Sequence, residues 1–512
     1  MLATSHLFHS LLVLFALVSP ARAEGWPQAA GPAGNFIVEG EAPRQFSVSR
    51  DEGVRWRVPL PNTGQGGVVV SRGRVFIASH APTVGDAETG SLIVAQCFDA
   101  ASGKELWRRE LPGSRTTDLS SLFSDNTAAS PVADGERVCF TNVGGSMRCF
   151  DYDGNELWSK RWVPFGRHHS RQHEPILHDG KVIVVRVKLS DLDEKVTTKA
   201  GAKPLGRDRA YWTWLHAYEM RTGDLAWVAE TGTGIHATSL AGERTGGGAA
   251  ILTGRGGGHK PPEEPYGISL VDARDGKAVW DLGIKAYASH QNAVWNSEVA
   301  AVFAGAEHQL VGIESGKLGK AVSIFEGVQV CRRVEGRYLT QTGQSLAAGK
   351  KPITYQTNLM VGDYHYFRSF KDFLIGRVHV KTGKVEYLQV PVQVVRRAGK
   401  PDEVLWEKPL PNDMRNAKGF LATQDKRNAG SGWGHCSAAS PTVIGKHIYF
   451  PTMIGMVYVL EWDAPILDEK ALVSISDLGP AGETWSLSSL AFCEGKIYAR
   501  TMKELICIGA AE

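Results

Sequence analysis

Along most of this chain, short runs alternate apolar and polar residues and break at Gly or Asp, which is the period of half-buried β-strands rather than of helices. Leu92 to Phe98 is such a run, and Phe98-Asp-Ala-Ala-Ser-Gly-Lys-Glu-Leu-Trp107 turns it back into a second strand. Asp99 is placed to bond the backbone two residues on, and Gly103 supplies the left-handed conformation that a turn with a Gly bulge requires. The same geometry returns at Asp151 to Trp158, Glu219 to Trp227 and Asp272 to Trp280, where Gly154, Gly223 and Gly276 each stand four residues before the Trp. His379 to Tyr387 keeps Gly383 and has a phenol in place of the indole, and Glu-Ser-Gly-Lys at 314–317 is a worn copy.

A repeat of roughly 40–80 residues containing a hairpin cannot bury both faces alone, so it implies radially repeated sheets. The repeat phrase marks the third and fourth strands of each unit. Third strands are predicted at Leu92–Phe98, Ser146–Phe150, Trp214–Glu219, Gly267–Asp272, His308–Glu314, Leu374–Val380, Met456–Leu460 and Leu505–Ile508, eight in all. The last has no fourth strand after it, whereas Gly53-Val-Arg-Trp-Arg-Val-Pro-Leu60 has the Trp and the pattern of an orphan one. The predicted fold is therefore all-β: an eight-bladed β-propeller of four-stranded antiparallel blades, its ring closed by N- and C-terminal strands, with seven blades as the alternative count. Such closure removes exposed sheet edges.

First and second strands follow a module x-Ser-Pro-Val/Thr-x-x-x-Gly-x-x-Val/Ile-Tyr/Phe, clearest from Asn126 to Thr141, Ala438 to Phe450 and Ser488 to Arg500. Long connections at 189–211, 254–266 and 391–434 read as loop insertions, and the repeat is weakest over about 290–390.

Length alone suggests three domains for 512 residues, but the repeats make residues 24–512 a single propeller domain. The 57 Gly and 14 Trp suit many Gly turns and packing between blades. A net charge of +3 without a basic cluster argues against nucleic acid as a partner. Leu11 to Val18 followed by Ala21-Arg-Ala23 reads as a secretory leader over residues 1–23, too short for a permanent span, so the mature chain is expected to carry no transmembrane segment and to be periplasmic or secreted. Its amino-terminal region lacks Lys and Arg, and no Cys stands at the cleavage site to take a lipid. All seven Cys lie beyond the leader, an odd number that leaves at least one unpaired within the chain. Cys139 and Cys149 flank Val143-Gly-Gly145 and would face each other across a three-residue turn; the other reading makes the cysteines small apolar core residues.

The repeat phrase, with strands such as Ile93-Val-Ala-Gln-Cys-Phe98, resembles the tryptophan-docking repeat of the pyrroloquinoline-quinone (PQQ) type β-propellers, a superfamily that includes quinoprotein alcohol dehydrogenases and the outer-membrane assembly factor BamB. Trp26-Pro-Gln-Ala-Ala-Gly-Pro32 and Gly495-Lys-Ile-Tyr-Ala-Arg-Thr501 also resemble secreted bacterial PQQ-like repeat proteins. For the dehydrogenases the resemblance implies a quinone on a Trp floor beneath a vicinal disulfide, calcium held by carboxylate and amide side chains, and an Asp base. This chain has no adjacent Cys pair and no alignable calcium set. No cofactor is assigned, with PQQ or a metal ion as the alternative.

The candidate ligand residues are four histidines, His173, His236, His290 and His435, each shortly before or at the start of an inner strand. Inner strands begin around the axis on one face, so the imidazoles would converge at the axial mouth, able to bind a transition metal or an anion. The competing reading is a polar lining bonded to backbone and water. His168-His-Ser-Arg-Gln-His173 sets three imidazoles beside Arg167 and Arg171, which favours an anion over a cation if the segment is a site; the other reading is a surface loop. The expected function is a non-enzymatic, exported binding scaffold for an envelope protein or an extracellular polymer. The alternative is an oxidoreductase, quinoprotein-like or metal-dependent, with its site at the axial mouth.

Overall fold

Each turn glycine of the repeat runs the backbone through the left-handed region: Gly103, Gly154, Gly223, Gly276, Gly316 and Gly383 have φ between 60° and 83°. Where the strands on either side pair, the register slips by one residue at Cys97/Phe98, Cys149/Phe150, Ala217/Tyr218 and Leu270/Val271, which is the expected Gly bulge. The computed structural model describes residues 25–510 apart from 61–63, 65, 82–88, 119–128, 163–172, 188–212, 230, 232–237, 257–265, 288–290, 348–352, 370–371, 416–418, 420, 425–432 and 434–438.

The strands form eight main sheets, one per blade, with a small accessory hairpin besides. Third strands run at Thr89–Asp99, Ser146–Asp151, Thr213–Glu219, Gly267–Asp272, Glu307–Gly312, Leu374–His379, Met456–Glu461 and Glu504–Ile508, matching the eight predicted. The eighth blade takes its fourth strand from near the other end of the chain: Val54–Pro59 pairs antiparallel with Glu504–Ile508, from Val54 opposite Ile508 to Pro59 opposite Glu504. The ring is closed as expected. Inner strands are shorter than the pattern suggested, Val132–Ala133 and Ala491–Cys493 among them.

Three blades exceed four strands. Gly25–Trp26 adds antiparallel to the inner strand Val69–Ser71 of the first blade, and Ile37–Val38 adds parallel to Thr442–Ile444 of the seventh. The sixth blade is widened on its outer side by the hairpin Val328–Val334 and Arg337–Gln344, whose first strand lies parallel to the blade's own fourth strand, Val385–Gln389. This is the region where the sequence repeat is weakest. The excursion over 391–434 holds a second hairpin, Gln393–Val395 with Glu403–Leu405. The whole 189–211 stretch lies outside the described residues, as does most of 254–266.

Third strands such as Gly267–Asp272 are buried on both faces, while fourth strands such as Glu156–Arg161 and Ala278–Gly283 alternate exposed and half-buried positions. Blades meet through the fourth-strand indoles. Trp56, Trp107, Trp158, Trp227 and Trp280 lie against Gly103, Gly154, Gly223, Gly276 and Gly316 of the following blade, so close that a Cβ there would come within 2.5–2.9 Å of the ring. Four of these indoles donate Nε1–H to a carbonyl of the same turn: Ala100 at 3.1 Å, Tyr152 at 2.9 Å, Met220 at 2.8 Å and Ile313 at 2.7 Å. At the next seam Val322 takes the indole's place against Gly383. Tyr387, the phenol of the degenerate repeat, does not continue the series; its hydroxyl donates to the Ile324 carbonyl at 2.6 Å beneath the added hairpin. Among the described residues no helix is long and apolar enough to cross a membrane.

Candidate functional site

In several blades the residue two positions ahead of the inner strand bonds its counterpart in the next. The Gly67 amide donates to Ser130 Oγ at 2.6 Å, the Ser130 amide to Glu174 Oε2 at 2.7 Å, and the Thr238 amide to Asn292 Oδ1 at 2.9 Å. Ser130 and Glu174 are the residues before Pro131 and Pro175, so the Ser-Pro module of the sequence supplies this belt. Ser488 Oγ bonds the Gly66 carbonyl at 3.2 Å and joins the eighth blade to the first. Asn292 Nδ2 donates to Ser440 Oγ at 3.0 Å, linking the fifth blade to the seventh past the sixth. Inner strands lie next to one another from the eighth blade through the first to the fourth, and between the fifth and sixth.

Of the four histidines singled out by sequence, His173 is described. It is buried, with Nε2 at 2.7 Å from Ser239 Oγ in the next blade, and Ser239 in turn donates to Thr253 Oγ1 at 2.7 Å. Burial pushes the imidazole down to about 3, against a smaller opposing effect of the Glu174 backbone, so it is neutral in the folded protein. Burial also raises the Glu174 carboxyl, while the Ser130 hydroxyl and amide hold it down. His236, His290 and His435 lie outside the described residues, as do His168 and His169. His236 and His290 flank the belt residues Thr238 and Asn292 in sequence.

Two histidines that the sequence reading passed over form a pair. His308 Nε2 and His365 Nδ1 lie 2.9 Å apart at the seam between blades five and six, and His365 Nε2 is 3.2 Å from Asn358 Oδ1. Phe303 packs on both rings, at 5.6 and 5.0 Å between centroids. Burial pushes His308 down to about 4, and burial together with His308 pushes His365 well below its ordinary value. Neither lies in an inner strand, which is why the search for axial imidazoles missed them. Among the described residues no group of three His, Cys, Asp or Glu side chains is placed to hold a metal ion.

The described axial residues do not fit a quinone with its calcium. Glu174 and Asn292 are of the carboxylate and amide types that would ligate the ion, but each holds the amide of a neighbouring blade. The Asn292–Ser440 bond, joining blades that are not neighbours, further occupies the space about the axis. What this arrangement does chemically is to tie blade to blade.

Solved structures with similar folds include a quinohaemoprotein alcohol dehydrogenase from Pseudomonas putida, with a TM-score of 0.50, 12% identity and coverage of 97% of this chain and 83% of that one. A europium-containing methanol dehydrogenase gives 0.51 and 12%, covering 96% and 99% of the two chains. BamB from Moraxella catarrhalis gives 0.48 and 11%, covering 90% and 98%. At these identities the likeness is one of fold. No curated protein matches the chain in sequence. The family profile described as outer membrane protein assembly factor BamB matches residues 46–197 and 96–385, together well over half of the chain. With eight closed blades and a turn glycine beneath an indole at successive seams, the chain belongs to this BamB family of PQQ-like β-propellers.

Proposed function

We propose that this protein is an exported, non-enzymatic binding scaffold that engages an envelope protein or an extracellular polymer through the outside of the ring. The observation that carries this reading is the use made of the axial side chains: Ser130, Glu174, His173, Ser239, Asn292 and Ser440 are bonded from one blade to another. A site for turnover at the axis would need such groups free to meet a substrate, whereas a scaffold needs them to hold its shape. The name of the family profile, an outer-membrane assembly factor, points the same way. Residues 1–23 act as the cleaved leader in this reading, and 24–512 form the propeller.

The test is to isolate the mature protein from the envelope of cells that make it. A colourless, metal-free protein that cross-links reproducibly to the same envelope component supports the scaffold. A bound chromophore, or a metal ion near one per chain that is lost in His173→Ala, overturns it in favour of an oxidoreductase working at the axial mouth with some of His173, His236, His290 and His435.

A further inference from the structure

The hairpin added to the sixth blade is the part of the ring most clearly built to be met. Its strands Val328–Val334 and Arg337–Gln344 are joined by Glu335-Gly336, both with positive φ, 50° and 87°, as a two-residue primed turn requires. In such a hairpin the closing pair, here Val334 and Arg337, exchanges both backbone bonds, and bonded and non-bonded pairs then alternate. Arg332 opposite Leu339 is the next bonded pair. Tyr338 and Thr340 therefore aim their amides and carbonyls away from the hairpin. The Thr340 hydroxyl is within hydrogen-bonding reach of the Cys331 thiol opposite, in keeping with the closer side chains of a non-bonded pair.

Arg337–Gln344 ends its sheet, and among the described residues no strand pairs with its outer side. It is exposed along most of its length, Leu339 at 49%. Native edges are usually blunted by charge, shortness or Pro. The outer strands of the first two blades carry Arg108, Arg109 and Glu110 or Lys160 and Arg161, and that of the third, though uncharged, has only five residues. From Tyr338 to Gln344 the sequence is Tyr-Leu-Thr-Gln-Thr-Gly-Gln, with no charge and no Pro.

The charge beside this edge is positive. Arg332, Arg333 and Arg337 cluster at the hairpin's end against Glu335 alone at the turn, and among the described residues none of the three arginines makes an ion pair. Arg333 is held over the Trp406 ring at 4.8 Å, and Tyr338 meets the same indole at 6.0 Å, so the accessory excursion fixes the hairpin in place. Asp468 and Glu469 lie at its inner side, near Cys331.

We propose that the outer edge of Arg337–Gln344 takes up an extended acidic segment of a partner protein as an added strand, its backbone bonded to Tyr338 and Thr340 and its carboxylates on the face that carries Arg332 and Arg337. The backbone bonds give affinity and the arginines select the sign of charge. The inference rests on the scaffold reading and names the surface and the kind of partner.

The test uses the whole mature protein with a short synthetic peptide alternating Val or Thr with Glu, and its Lys-for-Glu counterpart. The acidic peptide binds more weakly as salt rises and slows hydrogen exchange at the Tyr338 and Thr340 amides; the basic one does neither. Thr340→Pro, which removes an amide the hairpin itself does not use, lowers affinity about tenfold or more while leaving thermal unfolding unchanged. Should that variant fold poorly, Arg332→Glu with Arg337→Glu, which share one face of the hairpin, serves instead and shifts preference to the basic peptide. Unslowed exchange at both amides, or wild-type affinity in Thr340→Pro, overturns the proposal. So does a polyuronate bound equally well by wild type and Thr340→Pro, since charge alone would then account for the arginines. If the edge fails while cross-links to an envelope component persist in Thr340→Pro, the edge is wrong and the scaffold stands.

Discussion

Trp56, on the closing strand, lies against Gly103 in the first blade's outer turn, where an added Cβ would come 2.7 Å from the indole Cε3. Gly73 has nearly the same φ, 71° against 73°, but nothing lies within 4 Å of where its Cβ would be. The pair separates backbone strain from crowding. Gly73→Ala is expected to cost about 1 kcal/mol and Gly103→Ala roughly 2–4 kcal/mol, the excess coming from displacing the ring that seals the ends together. Urea unfolding of the two variants measures the difference, and equal losses would mean that the indole gives way freely.

The buried imidazoles make the fold sensitive to acid. Burial lowers His308 to about 4, burial and the neighbouring His308 lower His365 well below its ordinary value, and burial above all lowers His173 and His216 each to about 3. A group whose folded pKa lies below its unfolded value binds its proton more readily in the unfolded chain, so stability is full above about pH 6.5 and falls by about 1.4 kcal/mol per pH unit for each such imidazole as pH drops toward the folded value. His365→Gln keeps a hydrogen-bonding side chain that does not titrate there. Its unfolding free energy between pH 6 and 5 should fall less steeply than that of the wild type by about one proton's worth.

Glu386 anchors the sixth blade from within. It is 2% exposed, bonded to Arg377 by Nε at 2.8 Å and Nη2 at 2.7 Å, to Lys384 at 2.7 Å, and to Gln329 of the added hairpin at 3.1 Å. Removing the carboxylate leaves the fully buried Arg377 without its counter-ion, so Glu386→Ala is expected to destabilise by about 3–5 kcal/mol. Because Gln329 loses its partner as well, amides of Val328–Val334 should exchange faster than those of blades on the far side of the ring. Uniform acceleration would show that the hairpin is not held through this residue.

Cys139 and Cys149 stand directly opposite across the predicted three-residue turn, and both are buried free thiols. Cys97, Cys331, Cys493 and Cys507 are buried and free as well. Burial pushes Cys97 up to about 12 and Cys493 and Cys507 to about 11, which removes the thiolate needed for reaction. A thiol reagent at neutral pH should leave these six unlabelled in the native protein and reach them after denaturation, as read peptide by peptide in a mass spectrum. Rapid native labelling of any of them would contradict its burial.

The chain's own letters determined the blades. A strand's period of two, the glycines that pass through positive φ, and a Trp four residues on are local properties, so they predicted eight third strands and the partner for the last. The sixth blade's added strands were illegible because Val328–Val334 pairs in parallel with Val385–Gln389 more than fifty residues later, and no local pattern announces that pairing. The axial site was half legible: the Ser-Pro module was visible, but that its Ser130 and Glu174 accept amides from neighbouring blades, and that His308 meets His365, depends on contacts between residues some forty to sixty apart. Repetition in one dimension dictates a ring, whereas which polar atoms meet inside it, and which edge stays open, is decided only when the separate blades are brought into register by packing.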